Sequence, residues 1–495
     1  MTSIDARLEL SPAPAAGSAD DADLAALGYK QKLHRTMGPF TSFALAFSMV
    51  SINTGVVTLF ADPFTRVGGI GILLWLLVIP LVACIVAVYA HLSARIPVTG
   101  YAYQWSSRLV GKSFGWFTGW VAFISFIAGT AGTASAIGSV FAPEIWAEPT
   151  QGQIQMLSIA ATLVVCALNI FGIRLATRIN DLGAVIELIG TVVLIAVLIG
   201  GLFYFFGSTQ GIHLLVETQP VSGLPITFST VALATLLPVS VLLGWEGAAD
   251  LAEETHDPRR TAAKAMIRAV AISSVFGIVL FTLLALAIPG PIADFLKEAE
   301  NPVILLVRRQ VGPLGADAMI FVAFASIFAC LIANMAVATR MSFALARDNM
   351  LPASQFLASV HERTGTPVAS ILLITVIAIL LNLASGGIVT AIYSMVGLTY
   401  YLTYFLTLLA AFLAWRAGRI PEAPAGTFSL GRWLVPTIFA GLAWTLCVVA
   451  TFTLPEESHP AAIVTLVVLA IGTLWWALVL RKRLSAGTAG PPDLL

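Results

Sequence analysis

The chain has 495 residues, of which 58% are hydrophobic and 11% charged, and its 26 basic residues balance 26 acidic ones. Water-soluble domains carry roughly 25% charged and about 45 to 50% apolar residues, so a soluble core does not account for this composition. Charge-free stretches close to the roughly 20 residues that cross a bilayer recur along the chain, starting with 26 residues between Arg35 and Asp62; lipid is the expected solvent.

Residues 1-27 are rich in Ala, Ser, Pro and Asp and have no apolar run, so they read as a disordered cytoplasmic tail and not as a cleaved signal peptide. Membrane helices 1 to 4 are predicted at about 38-61, 68-90, 114-142 and 153-173, and helices 5 to 8 at about 181-206, 228-250, 267-289 and 316-343. The charge-free run between Arg363 and Arg416 spans 52 residues, too many for one helix, and Ser385-Gly386-Gly387 divides it into about 367-384 and 388-414. Helices 11 and 12 follow at about 433-454 and 460-480, and residues 484-495 form a C-terminal cytoplasmic tail. In helix 3, Gly115, Gly119, Gly129, Gly132 and Gly138 let neighbouring helices approach closely. An even number of helices places 22 of the 26 Lys and Arg residues on the side of the N-terminus and leaves only Arg66, Lys297, Arg308 and Arg309 on the other. Cytoplasmic loops accumulate Lys and Arg, so both termini are expected in the cytoplasm, with the chain in the cytoplasmic (inner) membrane.

Two spans break the apolar pattern. Helix 1 carries Ser51, Asn53, Thr54, Gly55 and Thr58 about halfway across, and helix 6 carries Pro238, Ser240, Gly244, Trp245, Glu246 and Gly247. Irregular backbone at that depth is tolerated only where protein covers it or it lines a wet cavity, and paired interruptions in corresponding helices point to the site of an inverted-repeat transporter. Helices 1 to 5 (about 38-206) and 6 to 10 (about 228-414) would be the two repeats, with helices 11 and 12 appended. A broken helix leaves N–H groups on one half and C=O groups on the other unpaired, which suits a zwitterion: a carboxylate near Asn53, Thr54 and Gly55, and an ammonium near the carbonyls. A glycine kink used only for packing is the alternative.

A carboxylate near mid-bilayer costs at least about 2.5 kcal/mol by insertion scales, so Glu246 is a candidate for pairing with a substrate amine or for carrying a coupling proton; the alternative is a structural hydrogen bond that closes the break. Trp245 is a candidate cover for a bound cation. Glu187, about two turns into helix 5, is a second candidate proton site or a structural partner of helix 1 or helix 8, and Asn334 in helix 8 is a further polar candidate. Cys84, Cys166, Cys330 and Cys447 lie in apolar stretches without paired spacing, and the six histidines are dispersed, so neither a disulfide framework nor a metal site is expected.

Several stretches resemble the amino acid/polyamine/organocation (APC) permeases, and among them the amino acid/choline transporter branch. They are Leu27 to Arg35, Ala94 to Trp105, Gly244 to Arg260 with its Glu253-Glu254 pair, and Ala346 to Pro352 followed by Thr366-Pro367. The resemblance covers about residues 27 to 480. It implies an all-α polytopic membrane protein of the leucine-transporter type, with a 5+5 inverted repeat and a central site between helices 1, 3, 6 and 8. Glu253 and Glu254 are expected as solvated loop charges, with pairing to Arg95 as the alternative. Two departures stand out: helix 5 has Glu187 where some relatives carry a lysine, and Ser51 to Gly55 departs from the glycine-serine-glycine pattern of many amino-acid permeases.

The expected function is secondary transport of a small amine-bearing substrate, an amino acid or 4-aminobutyrate first and choline, ethanolamine or a polyamine second, with proton symport ahead of exchange. No Gly-x-x-x-x-Gly-Lys, His-Glu-x-x-His or Gly-x-Ser-x-Gly motif occurs, so no cofactor, no nucleic-acid partner and no enzymatic activity are expected. A channel or nutrient sensor on the same scaffold is the different-class alternative.

Overall fold

The computed structural model describes residues 19 to 492, apart from 208, 299, 300 and 385 and the side chains of 386 to 394. Among the described residues ten helices are long and apolar enough to cross a membrane, and two shorter apolar helices, Phe228–Val241 and Val368–Asn382, bring the total to twelve. In chain order helix 1 is Pro39–Leu59, helix 2 Gly69–Ser93, helix 3 Lys112–Ile145, helix 4 Gln151–Phe171, helix 5 Ile173–Phe205 and helix 6 Phe228–Val241. Helix 7 is Pro258–Leu286, helix 8 Pro313–Arg347, helix 9 Val368–Asn382, helix 10 Gly386–Arg416, helix 11 Leu434–Thr451 and helix 12 His459–Trp475. Several run past the apolar stretches that announced them. Helix 7 begins at Pro258 and carries Arg259, Arg260, Lys264 and Arg268 out of the apolar layer, because proline at a helix start needs no partner for its missing N–H. Ser385, which divides the long run in the sequence, lies outside the described residues.

The longest helices pack against one another at the centre. Helix 3 lies along helix 10 as helix 8 lies along helix 5, helices 3 and 8 run against each other, and helices 4 and 9 are in contact. Burial sorts accordingly: helix 3 is enclosed at the centre, whereas helices 4, 5 and 12 present wide apolar faces with exposed residues such as Leu163, Val193 and Leu466. In a membrane those faces meet lipid tails.

The N-terminal stretch expected as disordered is ordered in part, and the C-terminal tail is docked. Ala19–Ala26 is helical with Leu24 buried, and residues 1-18 lie outside the described residues. At the other end Ala489 is buried, the Gly490 N–H donates to the Asp348 carbonyl at 2.8 Å, and the Thr488 carbonyl accepts from the Asn349 amide at 2.9 Å. Pro492 sits so close to Gly28 that a Cβ there would lie 2.7 Å from its ring. The first and last described segments therefore meet on one face of the helix bundle, the terminal face.

Candidate functional site

Helix 1 breaks at one residue. Ser51 adopts φ 39° and ψ 83°, ending Pro39–Val50 and opening Ile52–Leu59. This left-handed conformation is costly for a residue other than glycine, and side chains hold it: the Ser51 hydroxyl meets Ser326 Oγ of helix 8 at 2.8 Å and also Thr54 Oγ1. The exposed N–H end of the second half faces a carboxylate of the protein itself, since Asn53 N–H donates to Glu187 Oε1 at 3.3 Å and the Asn53 amide donates to Thr191 Oγ1 at 3.1 Å. Glu187 is fully buried. Asn53 thus faces helix 5, while Ser51, Thr54 and Gly55 line a cavity.

Helix 6 breaks over a longer stretch, from Leu242 to the short helix Gly247–Asp250. Gly244 turns the chain with φ +86°, where any side chain would be strained, and a Cβ there would sit 2.9 Å from Met49 Cβ. Gly55 and Gly247 play the same part at the contact of helices 1 and 6: a Cβ on Gly55 would lie 2.2 Å from Val241 Cγ2, and one on Gly247 2.4 Å from Met49 Sδ. Glycine at these positions is what lets the two breaks lie against each other.

Trp245 and Glu246 are fully buried, and neither they nor Gly247 are among the residues lining the cavity. The Trp245 ring stacks on Tyr404 of helix 10 with centroids 5.2 Å apart and meets the edge of Tyr89 at 5.0 Å. The Tyr404 hydroxyl donates to Glu246 Oε2 at 2.7 Å. The Glu246 carboxyl at the helix 6 break is thereby held by an aromatic cluster of Tyr89, Trp245 and Tyr404. Tyr404, and Tyr400 beside it in the cavity wall, have no place in the sequence-level reading; their only signal there is the run of tyrosines at 400, 401 and 404 in an otherwise apolar helix.

The cavity, of about 870 Å³, runs from the face opposite the termini to the two breaks. Its mouth carries Asp62, Arg66, Glu144, Glu298 and Arg308, and its floor Ser51, Thr54 and Gly55 of helix 1, Gly244, Asn334 of helix 8 and Tyr400. Arg66 is held by Asp62 at 2.8 Å and by both oxygens of Glu457 at 2.8 and 2.9 Å, and Arg308 by Glu144 at 3.3 Å.

The terminal face is closed by buried charge. Arg340 forks onto Glu254 at 2.8 and 3.1 Å with both side chains fully enclosed, and Arg347 reaches both oxygens of Glu253 at 2.8 and 3.0 Å. Expected as solvated loop charges, Glu253 and Glu254 are instead buried ion-pair partners, because the loop after helix 6 packs against helices 1, 7 and 8. Their partners come from helix 8; Arg95 bonds to the carbonyls of His91, Pro421 and Phe428. Asp348 accepts from Tyr29 at 2.8 Å, Tyr103 at 2.9 Å and Gln104 at 2.8 Å, tying the segment before helix 1 to the end of helix 8. Burial pushes the Asp348 carboxyl up from its ordinary range, opposed by Arg347 and by these three donors.

Known proteins match over most of this architecture. A family model described as amino acid permease matches residues 37–477. The amino-acid permease BAT1 of Arabidopsis thaliana is 25% identical over 458 residues, covering 87% of each chain. Its homolog in Oryza sativa subsp. japonica is 25% identical over 503 residues, covering 95% of this chain and 94% of its own. An uncharacterized amino-acid permease, C74.04, of Schizosaccharomyces pombe is 24% identical over 464 residues, 89% of this chain and 81% of its own. With the family match spanning all twelve helices and both breaks, the chain belongs to the amino acid permease family of multi-pass membrane proteins.

Proposed function

We propose that this permease is a secondary active transporter that carries a zwitterionic substrate, an amino acid or 4-aminobutyrate, across the cytoplasmic membrane by alternating access. The observation that carries the reading is a cavity reaching the breaks of helices 1 and 6 from one face while buried ion pairs close the other. A site reachable from one side at a time is the minimum a pump-like cycle needs. The excess of Lys and Arg on the terminal face supports a cytoplasmic position for it, and in that orientation the described conformation opens outward. Ser51, Thr54, Gly55 and Gly244 are the substrate-facing residues in this reading; Asn53, Trp245 and Gly247 support the breaks from behind.

Proton coupling is assigned to Glu246 and Glu187, the two carboxylates at the breaks. A proton on Glu246 weakens its charge-assisted bond from Tyr404, and a proton on Glu187 weakens its hold on Asn53 N–H, so each links charge to the shape of a break. Uptake into proteoliposomes tests the reading, with a panel of amino acids, 4-aminobutyrate, choline, ethanolamine and polyamines and with pH and sodium gradients imposed separately. Saturable uptake driven by an inward proton gradient is expected, and Glu246→Gln is expected to abolish it while the protein still inserts. No saturable uptake of any panel member refutes transport; uptake by Glu187→Gln with unchanged pH dependence removes Glu187 from the coupling.

A further inference from the structure

The floor of the cavity carries a chemistry that the two breaks do not explain. Among the described lining residues every charged side chain stands at the mouth; Glu187 and Glu246 are both absent from the lining and engaged with Asn53 and Tyr404. The floor beyond helix 1 is neutral and polar. Asn334 is 4% exposed and is fixed in orientation by its own helix, its Nδ2 donating to the Cys330 carbonyl at 3.0 Å and lying 3.3 Å from Cys330 Sγ. The carbonyl oxygen Oδ1 is thereby turned toward helix 3, where a Cβ on Gly129 would lie only 2.7 Å from it. Among the described residues its donor is the Tyr400 hydroxyl at 3.5 Å, a long contact that leaves acceptor capacity unused.

We infer that Gly129, Asn334 and Tyr400 form a side-chain subsite selecting amino acids whose neutral side chain carries a hydrogen-bond donor, a carboxamide or a hydroxyl. The inference rests on the reading of the cavity as the transport site and narrows its substrate class. A substrate hydroxyl or amide N–H entering from the cavity meets Asn334 Oδ1, which only a glycine at 129 lets lie so close to helix 3, and Tyr400 offers a second polar partner. An aliphatic side chain leaves Oδ1 buried and unpaired, a loss that corresponds to about tenfold in affinity or more. A cationic side chain, choline or a polyamine finds a neutral acceptor but no counter-charge on the floor, and an unpaired charge in a closed site is the costlier case.

Competition against labelled L-asparagine and L-serine uptake in proteoliposomes of the full-length protein tests this. L-asparagine, L-glutamine and L-serine are expected to compete at about tenfold lower concentrations than L-leucine, L-lysine, choline, putrescine or 4-aminobutyrate. Equal or better competition by any of the latter group overturns the subsite while leaving transport standing, whereas no saturable uptake of any panel member refutes transport itself. Asn334→Asp supplies the missing counter-charge and is expected to bring L-lysine or putrescine into competition; Asn334→Leu is expected to reverse the order of L-asparagine and L-leucine. An unchanged ranking in both variants, each retaining uptake of some panel member, rejects the assignment. Gly129→Ala, which crowds Oδ1, is expected to weaken L-asparagine competition more than that of L-leucine; equal weakening of both counts against the subsite. Should Asn334→Asp fail to fold, as judged by thermal unfolding in detergent, the ranking in Asn334→Leu decides.

Discussion

The two faces of the molecule use the same ion-pair chemistry in opposite surroundings. At the mouth of the cavity Arg66 and Arg308 pair with carboxylates while their side chains stay 21% and 50% exposed. At the terminal face Arg340 and Glu254 pair with no exposure at all, and Arg347 with Glu253 at 9% and 0%. Exposed pairs contribute roughly 0 to 1 kcal/mol, whereas removing one member of a buried pair costs about 3 to 5 kcal/mol. Water does the work of making the mouth easy to rearrange, and its exclusion makes the seal hard to open by halves. A cycle that opens the terminal face must therefore move Arg–Glu pairs as units or replace their partners.

That contrast can be broken at graded strengths. Arg340→Ala leaves Glu254 buried without its partner and is expected to lower stability by about 3 to 5 kcal/mol; thermal unfolding in detergent close to wild type would show that water already reaches this pair. Tyr404→Phe removes the donor to Glu246 and leaves a buried acceptor, a cost of about 1 to 3 kcal/mol, with uptake falling further than stability because the helix 6 break loses its anchor. A full-length chain compared with one ending after Ser485 measures the C-terminal contacts at Asp348 and Asn349. Losing two hydrogen bonds is expected to cost about 1 to 2 kcal/mol, and an impermeant probe of the terminal face should find the truncated form more reactive. Arg66→Gln is the smallest: within about 1 kcal/mol of wild type in stability, with uptake at low ionic strength altered more than at high. A large destabilisation there would erase the distinction between the two faces.

The helices and their breaks were legible because composition along the chain records depth in a membrane. Ser51 to Gly55 and Gly244 to Gly247 stand out as polar and glycine-rich islands in apolar runs, and the structure places the two breaks against each other. Partners from far along the chain were legible at most by helix: Glu187 was a candidate partner of helix 1 or helix 8, and the residue it meets is Asn53 of helix 1. Glu187 reaches Asn53 across 134 residues and Tyr404 reaches Glu246 across 158, and no local pattern announces either pairing. Glu253 and Glu254 show the reverse: two adjacent acids before a proline resemble a solvated turn, and only the packing of the loop against helices 1, 7 and 8 buries them. The N-terminal stretch misled in a similar way. An Ala- and Asp-rich stretch has too few apolar residues to fold alone, yet Leu24 needs only a ready-made surface to be buried on.

The docking of the last residues also bears on how the protein is made. Gly490 and Pro492 reach Asp348 and Gly28, so contacts that join the segment before helix 1 to the end of helix 8 include residues synthesised after every membrane span. In order of synthesis those contacts can form only after helix 12 has been made, so the strap across the terminal face is laid over a bundle whose spans are already complete.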